Sequence, residues 1–143
     1  MRACATAPLT IELDVTDAVA CAAAVERVVA EHGRLDVVWA NAGISSFGPL
    51  RLSDPAAWIR TVEVNLVGVY HTVSAALPAV IAQRGYVAVT ASLASFTQAP
   101  HMSAYCATKA GVEALCNSLR IEVAQYGVDV VTIHPTWIDT DMV

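Results

Sequence analysis

Short runs of β-branched and aromatic residues alternate along this chain with longer stretches whose apolar residues recur every three or four positions. The first pattern predicts strands and the second predicts amphipathic helices. Strands are predicted at Thr10–Leu13, Leu35–Trp39, Tyr86–Thr90 and Val128–Ile133. Asp17 caps a predicted helix that runs to about His32. Ala20, Ala24, Val25, Val28 and Val29 lie on one side of it, and Glu26, Arg27 and Glu31 on the other. Gly33 stops this helix. Ser53-Asp54-Pro55 opens a second helix, predicted to reach Ala82 with a bend near Pro78. A third is predicted from Ser103 to about Tyr126, closed by Gly127.

The resulting order is β-α-β-α-β-α-β, with no internal repeat and no low-complexity linker. Such alternation predicts an α/β fold with a parallel sheet. Leu35–Trp39 is apolar almost throughout, as a strand covered on both faces is. Right-handed crossovers set the strands side by side. Ligands of such sheets bind at the carboxyl ends of the strands. Asp14, Asn41, Ser92 and the residues after Pro135 all fall at those ends.

Composition narrows the function classes. With 143 residues the chain is a single domain, and only 15% of it is charged, against about 25% in an average domain. That shortfall predicts additional burial, in a subunit interface or against further chain. The net charge is −5 and the basic residues are scattered, which argues against a nucleic-acid partner. No window holds 18 consecutive apolar residues, so a membrane partner is not expected. Cys4, Cys21, Cys106 and Cys116 lack zinc-site spacing and read as free thiols of a cytoplasmic protein.

Lys109 is the only lysine in the chain, and it stands four residues after Tyr105. On a helix the two side chains share one face. A nearby ammonium favours the phenolate of a tyrosine, whose free pKa is about 10, and makes it a usable general acid/base. Thirteen residues before Tyr105 stands Ser92, whose hydroxyl suits a substrate oxygen on which charge develops. Ser95 is a rival for that role.

Four motifs occur in order: Asn41-Ala42-Gly43 at a strand end, Asn65-Leu66-Val67-Gly68, Ser92, and Tyr105-Cys106-Ala107-Thr108-Lys109. Together they resemble the signature of the compact short-chain dehydrogenases/reductases, and the resemblance runs from about Thr10 to Met142. It implies hydride transfer between NAD or NADP and a small-molecule carbonyl or alcohol substrate. Tyr105 would be the acid/base, Ser92 would orient the substrate oxygen, and Lys109 would also hold the nicotinamide ribose. Asn65 would hold a relay water. Asp14 resembles the residue that accepts a hydrogen bond from the adenine amino group, and Asn41, Ala42 and Gly43 would line the adenine-ribose side. In the tail, Pro135, Ile138 and Thr140 would flank the nicotinamide; Thr136 stands where the family usually has glycine. Phe96, Thr97, Met102 and Trp137 would shape the substrate pocket.

The family's glycine-rich G-x-x-x-G-x-G turn is absent from these 143 residues. The implied fold is thus a partial Rossmann-like, doubly wound parallel sheet lacking the first strands and that turn, one incomplete NAD(P)-binding domain over residues 1–143. A catalytically inactive fragment, or a non-catalytic oligomerisation or interaction module derived from the family, is the alternative reading. The resemblance further implies a homo-oligomer built through helices 55–82 and 103–126.

Overall fold

Among the described residues three parallel strands form the sheet, β1 (Val37–Ala40), β2 (Tyr86–Thr90) and β3 (Asp129–Ile133), in the order β1-β2-β3. The computed structural model describes residues 8–136. Val38, Val87 and Val130 lie in register across the sheet, as do Ala40, Val89 and Thr132. Because side chains alternate along a strand, these residues share one face.

Three helices cover that face. They are α1 (Ala18–His32), α3 (Gly68–Ala82) and α4 (Ser103–Val123). Val69, Val73, Ala76 and Val80 of α3 close over the strand valines with Val112, Cys116 and Leu119 of α4, and Val25 of α1 packs against the same core. Val80, Val87, Val89 and Val112 are wholly buried, each contributing about 1.5–3 kcal/mol relative to exposure. The apolar run of residues 55–82 is long enough by length and composition to cross a membrane. Its buried residues form the core under the sheet, which accounts for their apolarity.

Val37, Trp39, Tyr86 and Ile133 point to the opposite face and are exposed, Trp39 to 60%. Of a doubly wound arrangement, the described residues therefore supply one layer of helices. The run 35–39 is apolar on both faces, as predicted, but among the described residues only one face is covered.

The helix ends follow from local chemistry. The Asp17 carboxylate accepts from the Val19 and Ala20 N–H groups at 2.9 and 3.0 Å, and Gly33 ends α1 in the left-handed conformation at φ 78°, which costs glycine nothing sterically. Asp54 caps α2 (Pro55–Val62), with Pro55 in its first turn.

Three expectations change. Thr10–Leu13 forms no strand, because a strand exists only through pairing and no described residue lies beside this segment to pair with it. The predicted β-α-β-α-β-α-β order thus loses its first strand among the described residues. The second helix spans Pro55–Ala82 as expected, but not as one uniform α-helix: α2 passes through a π-helical turn at Glu63–Val67 before α3 begins, and Pro78 lies inside α3. Finally, β1 starts at Val37 and β3 at Asp129, inside the predicted limits.

Candidate functional site

The ends of β1 and β2, the first turns of α4 and the segment after β3 surround a cavity of about 410 Å³. Asn41, Gly43, Ser92, Tyr105, Lys109 and Pro135, all singled out by the sequence, line it. The four-residue spacing puts Tyr105 and Lys109 on one face of α4, with the Lys109 Nζ 5.6 Å from the centre of the Tyr105 ring. Lys109 is only 3% exposed. Burial disfavours its charged form and pushes the ammonium down to about 8. Its Nζ donates to the Thr90 carbonyl at 2.7 Å, which gives the buried amine an acceptor.

Ser92 caps a short 3₁₀ turn, Leu93–Ser95, and its Oγ accepts from the Ala94 N–H at 3.1 Å. Among the described residues the hydroxyl hydrogen meets no acceptor, and Ser92 lines the cavity. Ser95 faces elsewhere: its hydroxyl donates to the Lys109 backbone carbonyl at 2.9 Å, in the interior. The two serines that sequence spacing leaves as rivals are thus separated by direction.

Asn65 sits in the π turn and is fully buried. Its Oδ1 accepts from the Ile44 N–H and its Nδ2 donates to the Ile44 carbonyl, both at 2.8 Å. A π turn at such a position commonly marks a functional site. Gly43 sits beside two site residues: a Cβ there would lie 3.5 Å from Asn65 Oδ1 and 3.8 Å from Lys109 Nζ, ordinary contact distances. At Gly68 a Cβ would come within 2.6 Å of Val15, which fixes glycine at the end of the Asn65–Gly68 motif.

Asn41 is oriented through Thr90, whose hydroxyl donates to Asn41 Oδ1 at 2.7 Å and accepts from the Trp39 indole at 2.9 Å. Ala42 lines a separate apolar groove between α1, β1 and α3. Asp14 lies outside the cavity lining. Its carboxylate accepts from the Thr16 N–H and hydroxyl and from Arg60 at 2.7 Å. The Thr16 backbone bond, then Arg60, hold it down to about 2. Pro135 lines the cavity, and its carbonyl accepts from the Leu93 N–H at 3.1 Å. Trp137, Ile138 and Thr140 lie outside the described residues. Thr97 and Met102 line the cavity; Phe96 instead stacks on His134 at 4.9 Å.

Sequence reasoning missed Thr90 and Thr108. Thr90 serves Lys109 with its carbonyl and Asn41 with its hydroxyl, and a polar residue closing an apolar strand was the available signal. Thr108 lies 3.4 Å from Asn65 Nδ2, inside the motif but unweighed. Phe47 and Leu93 also line the cavity; neither carries a signal before folding. Cys21, Cys106 and Cys116 are buried free thiols, and burial pushes Cys116 up to about 11.

A family profile described as short chain dehydrogenase matches residues 1–143. The (-)-trans-carveol dehydrogenase of Rhodococcus erythropolis is 38% identical over 138 residues, covering 94% of this chain and 50% of that protein. The trans-4-hydroxycyclohexanecarboxylate dehydrogenase of Sinomonas cyclohexanicum is 35% identical, covering 94% of this chain and 52% of that protein. Among solved structures, carveol dehydrogenase from Mycobacterium avium in complex with NAD superposes with a TM-score of 0.90 at 32% identity, over 94% of this chain and 50% of that one. An alcohol dehydrogenase from Thermococcus sibiricus, complexed with 5-hydroxy-NADP, gives 0.85 at 32% identity, over 90% of this chain and 54% of that one. The chain spans about half the length of the curated relatives it matches.

Proposed function

The chain belongs to the short-chain dehydrogenase family, and from that membership we propose that it carries the catalytic centre of an NAD- or NADP-dependent oxidoreductase acting on a small carbonyl compound or secondary alcohol. The observation that carries this reading is the convergence of Ser92, Tyr105 and Lys109 on one cavity.

A bound nicotinamide nucleotide supplies or accepts the hydride; the residues of the chain handle the proton and the oxygen. In the reducing direction the Ser92 hydroxyl donates to the substrate oxygen and holds it toward Tyr105. The Tyr105 hydroxyl then passes its proton to the oxygen as negative charge builds there, and the neighbouring Lys109 ammonium stabilises the phenolate left behind. In oxidation the same proton returns to Tyr105. Lys109 would hold the nicotinamide ribose, Asn41 and Gly43 would line the adenine-ribose side, with Gly43 admitting it closely, and Pro135, Ile138 and Thr140 would flank the nicotinamide. Asp14 would meet the adenine and Ala42 the adenine ribose. Asn65, whose side chain pins Ile44, would hold the relay water near Lys109. The solved relatives carry nucleotides of both kinds, NAD in one and 5-hydroxy-NADP in the other.

The test is Tyr105→Phe, which keeps the ring and removes the transferable proton. General acid/base groups contribute about 10²–10⁴-fold, so cofactor-linked oxidation of a cyclic secondary alcohol should fall by at least 10²-fold. Activity within about tenfold of wild type would overturn the role.

The exposed apolar face bearing Val37 and Trp39 favours a second reading. In it the chain is a catalytically inactive fragment or an interaction module derived from the family. A thermal melt with and without NADH and NADPH separates the two. A transition raised by either nucleotide supports the enzyme, and one that neither moves supports the module. The helices 55–82 and 103–126 expose Ile59, Tyr70 and Ile121, which supports a homo-oligomer; a monomer by light scattering would refute that assembly.

A further inference from the structure

Lys109 is held at two points by one short segment. Its Nζ donates to the Thr90 carbonyl at 2.7 Å, and its own backbone carbonyl accepts from the Ser95 hydroxyl at 2.9 Å. A helical carbonyl has a second lone pair beyond the one facing its own helix, so this bond costs α4 nothing. Ser92 lies between Thr90 and Ser95, in the turn whose two ends are thus tied to the helix that carries Tyr105 and Lys109. Ser95 and Lys109 are both buried, and a hydrogen bond in such surroundings is directional and costly to lose.

We propose that Ser95 is a positioning residue: by bonding the Lys109 backbone it sets the register between the turn that presents Ser92 and the helix that presents Tyr105 and Lys109. This inference rests on the proposed roles of those three residues, and it assigns to Ser95 a task distinct from theirs. Ser95 touches no substrate; it acts through Lys109. With the tie intact the amine is drawn back to Thr90 and out of water. Without it the turn and the helix slide relative to each other, the amine reaches solvent, and Ser92 moves off the line shared with Tyr105.

The single lysine makes the test direct. Lysine-selective ¹³C labelling gives one Cε signal, which reads the protonation of Lys109 in the whole chain with no cofactor or substrate present. The wild-type amine is expected to titrate at about 8. In Ser95→Ala the midpoint should rise toward the free-lysine value by about one pH unit or more. Ser95→Cys, close in size with a weak donor, should fall between them. A purely structural serine would lower the melting temperature and leave the midpoint of the folded protein where it was, so that result in Ser95→Ala overturns the proposal. Where the alanine variant does not fold, the cysteine variant decides by the same criterion. A wild-type midpoint near that of free lysine overturns it as well. Because the readout involves no turnover, its outcome is independent of the Tyr105→Phe result.

Discussion

Asn65 grips Ile44 with both ends of its amide, accepting from the Ile44 N–H and donating to the Ile44 carbonyl at 2.8 Å each. A side chain on a helix thereby does what a neighbouring strand would do for the loop after β1. The π turn at Glu63–Val67 is where this becomes possible, and Gly43, directly before Ile44, is held beside Lys109 in consequence. Asn65→Ala leaves two partly buried backbone groups without partners, at a cost of about 2–4 kcal/mol. Urea unfolding should show the lower midpoint with an unchanged slope; a loss below about 0.5 kcal/mol would contradict the clamp.

Gly85 sits where β2 begins, and a Cβ there would lie 2.1 Å from the Asp36 carbonyl oxygen. That oxygen already accepts from the Tyr86 N–H at 2.8 Å. Backbone cannot yield as a flexible side chain does, so Gly85→Ala must push β1 and β2 apart at their first rung. The expected loss is about 3 kcal/mol, at the upper end of overpacking costs, measured by denaturant unfolding. A variant as stable as wild type would mean that the two strands start farther apart.

Lys109 makes stability depend on pH. Burial lowers its folded value to about 8, while the unfolded chain keeps 10.5. Between those values the unfolded state binds more protons, so stability contributed by this site rises with pH through that window. Below about 8 the full cost of burying the charge is present. Lys109→Met removes the titration, so the variant's stability advantage over wild type should shrink from pH 8 to 10.5 by an amount of order 3 kcal/mol. A difference flat with pH would place the amine in water.

The Trp39–Thr90–Asn41 chain predicts a spectroscopic effect with little change in stability. Thr90→Val removes the hydroxyl that accepts from the Trp39 indole and donates to Asn41, while the backbone carbonyl that serves Lys109 remains. These groups are exposed, so the loss should stay below about 1 kcal/mol. The indole N–H resonance of Trp39 should move, and nucleotide affinity should fall as Asn41 loses its orientation. An unmoved indole resonance would show that the contact does not form in solution.

The amino-acid pattern by itself determined the strand Tyr86–Thr90 and, to within one residue, Asp129–Ile133, the helix caps at Asp17 and Gly33, and the common face of Tyr105 and Lys109. All of these are local: alternation, side-chain hydrogen bonds to nearby backbone, and helical periodicity act over a few residues. The four ordered motifs carried the family for the same reason, since spacing along a chain survives without coordinates. Only the tertiary structure decided the rest. Thr10–Leu13 has strand composition, yet it forms no strand, because among the described residues none lies beside it to pair. Ser92 and Ser95 have the same chemistry three residues apart, and only the path of the turn sends one to the cavity and the other to the Lys109 carbonyl. Asn65 looked like part of a motif, but its partner Ile44 is 21 residues away, a contact that no local rule contains. Direction and long-range partners belong to packing, and packing is settled only when the whole sheet and its helices are in place.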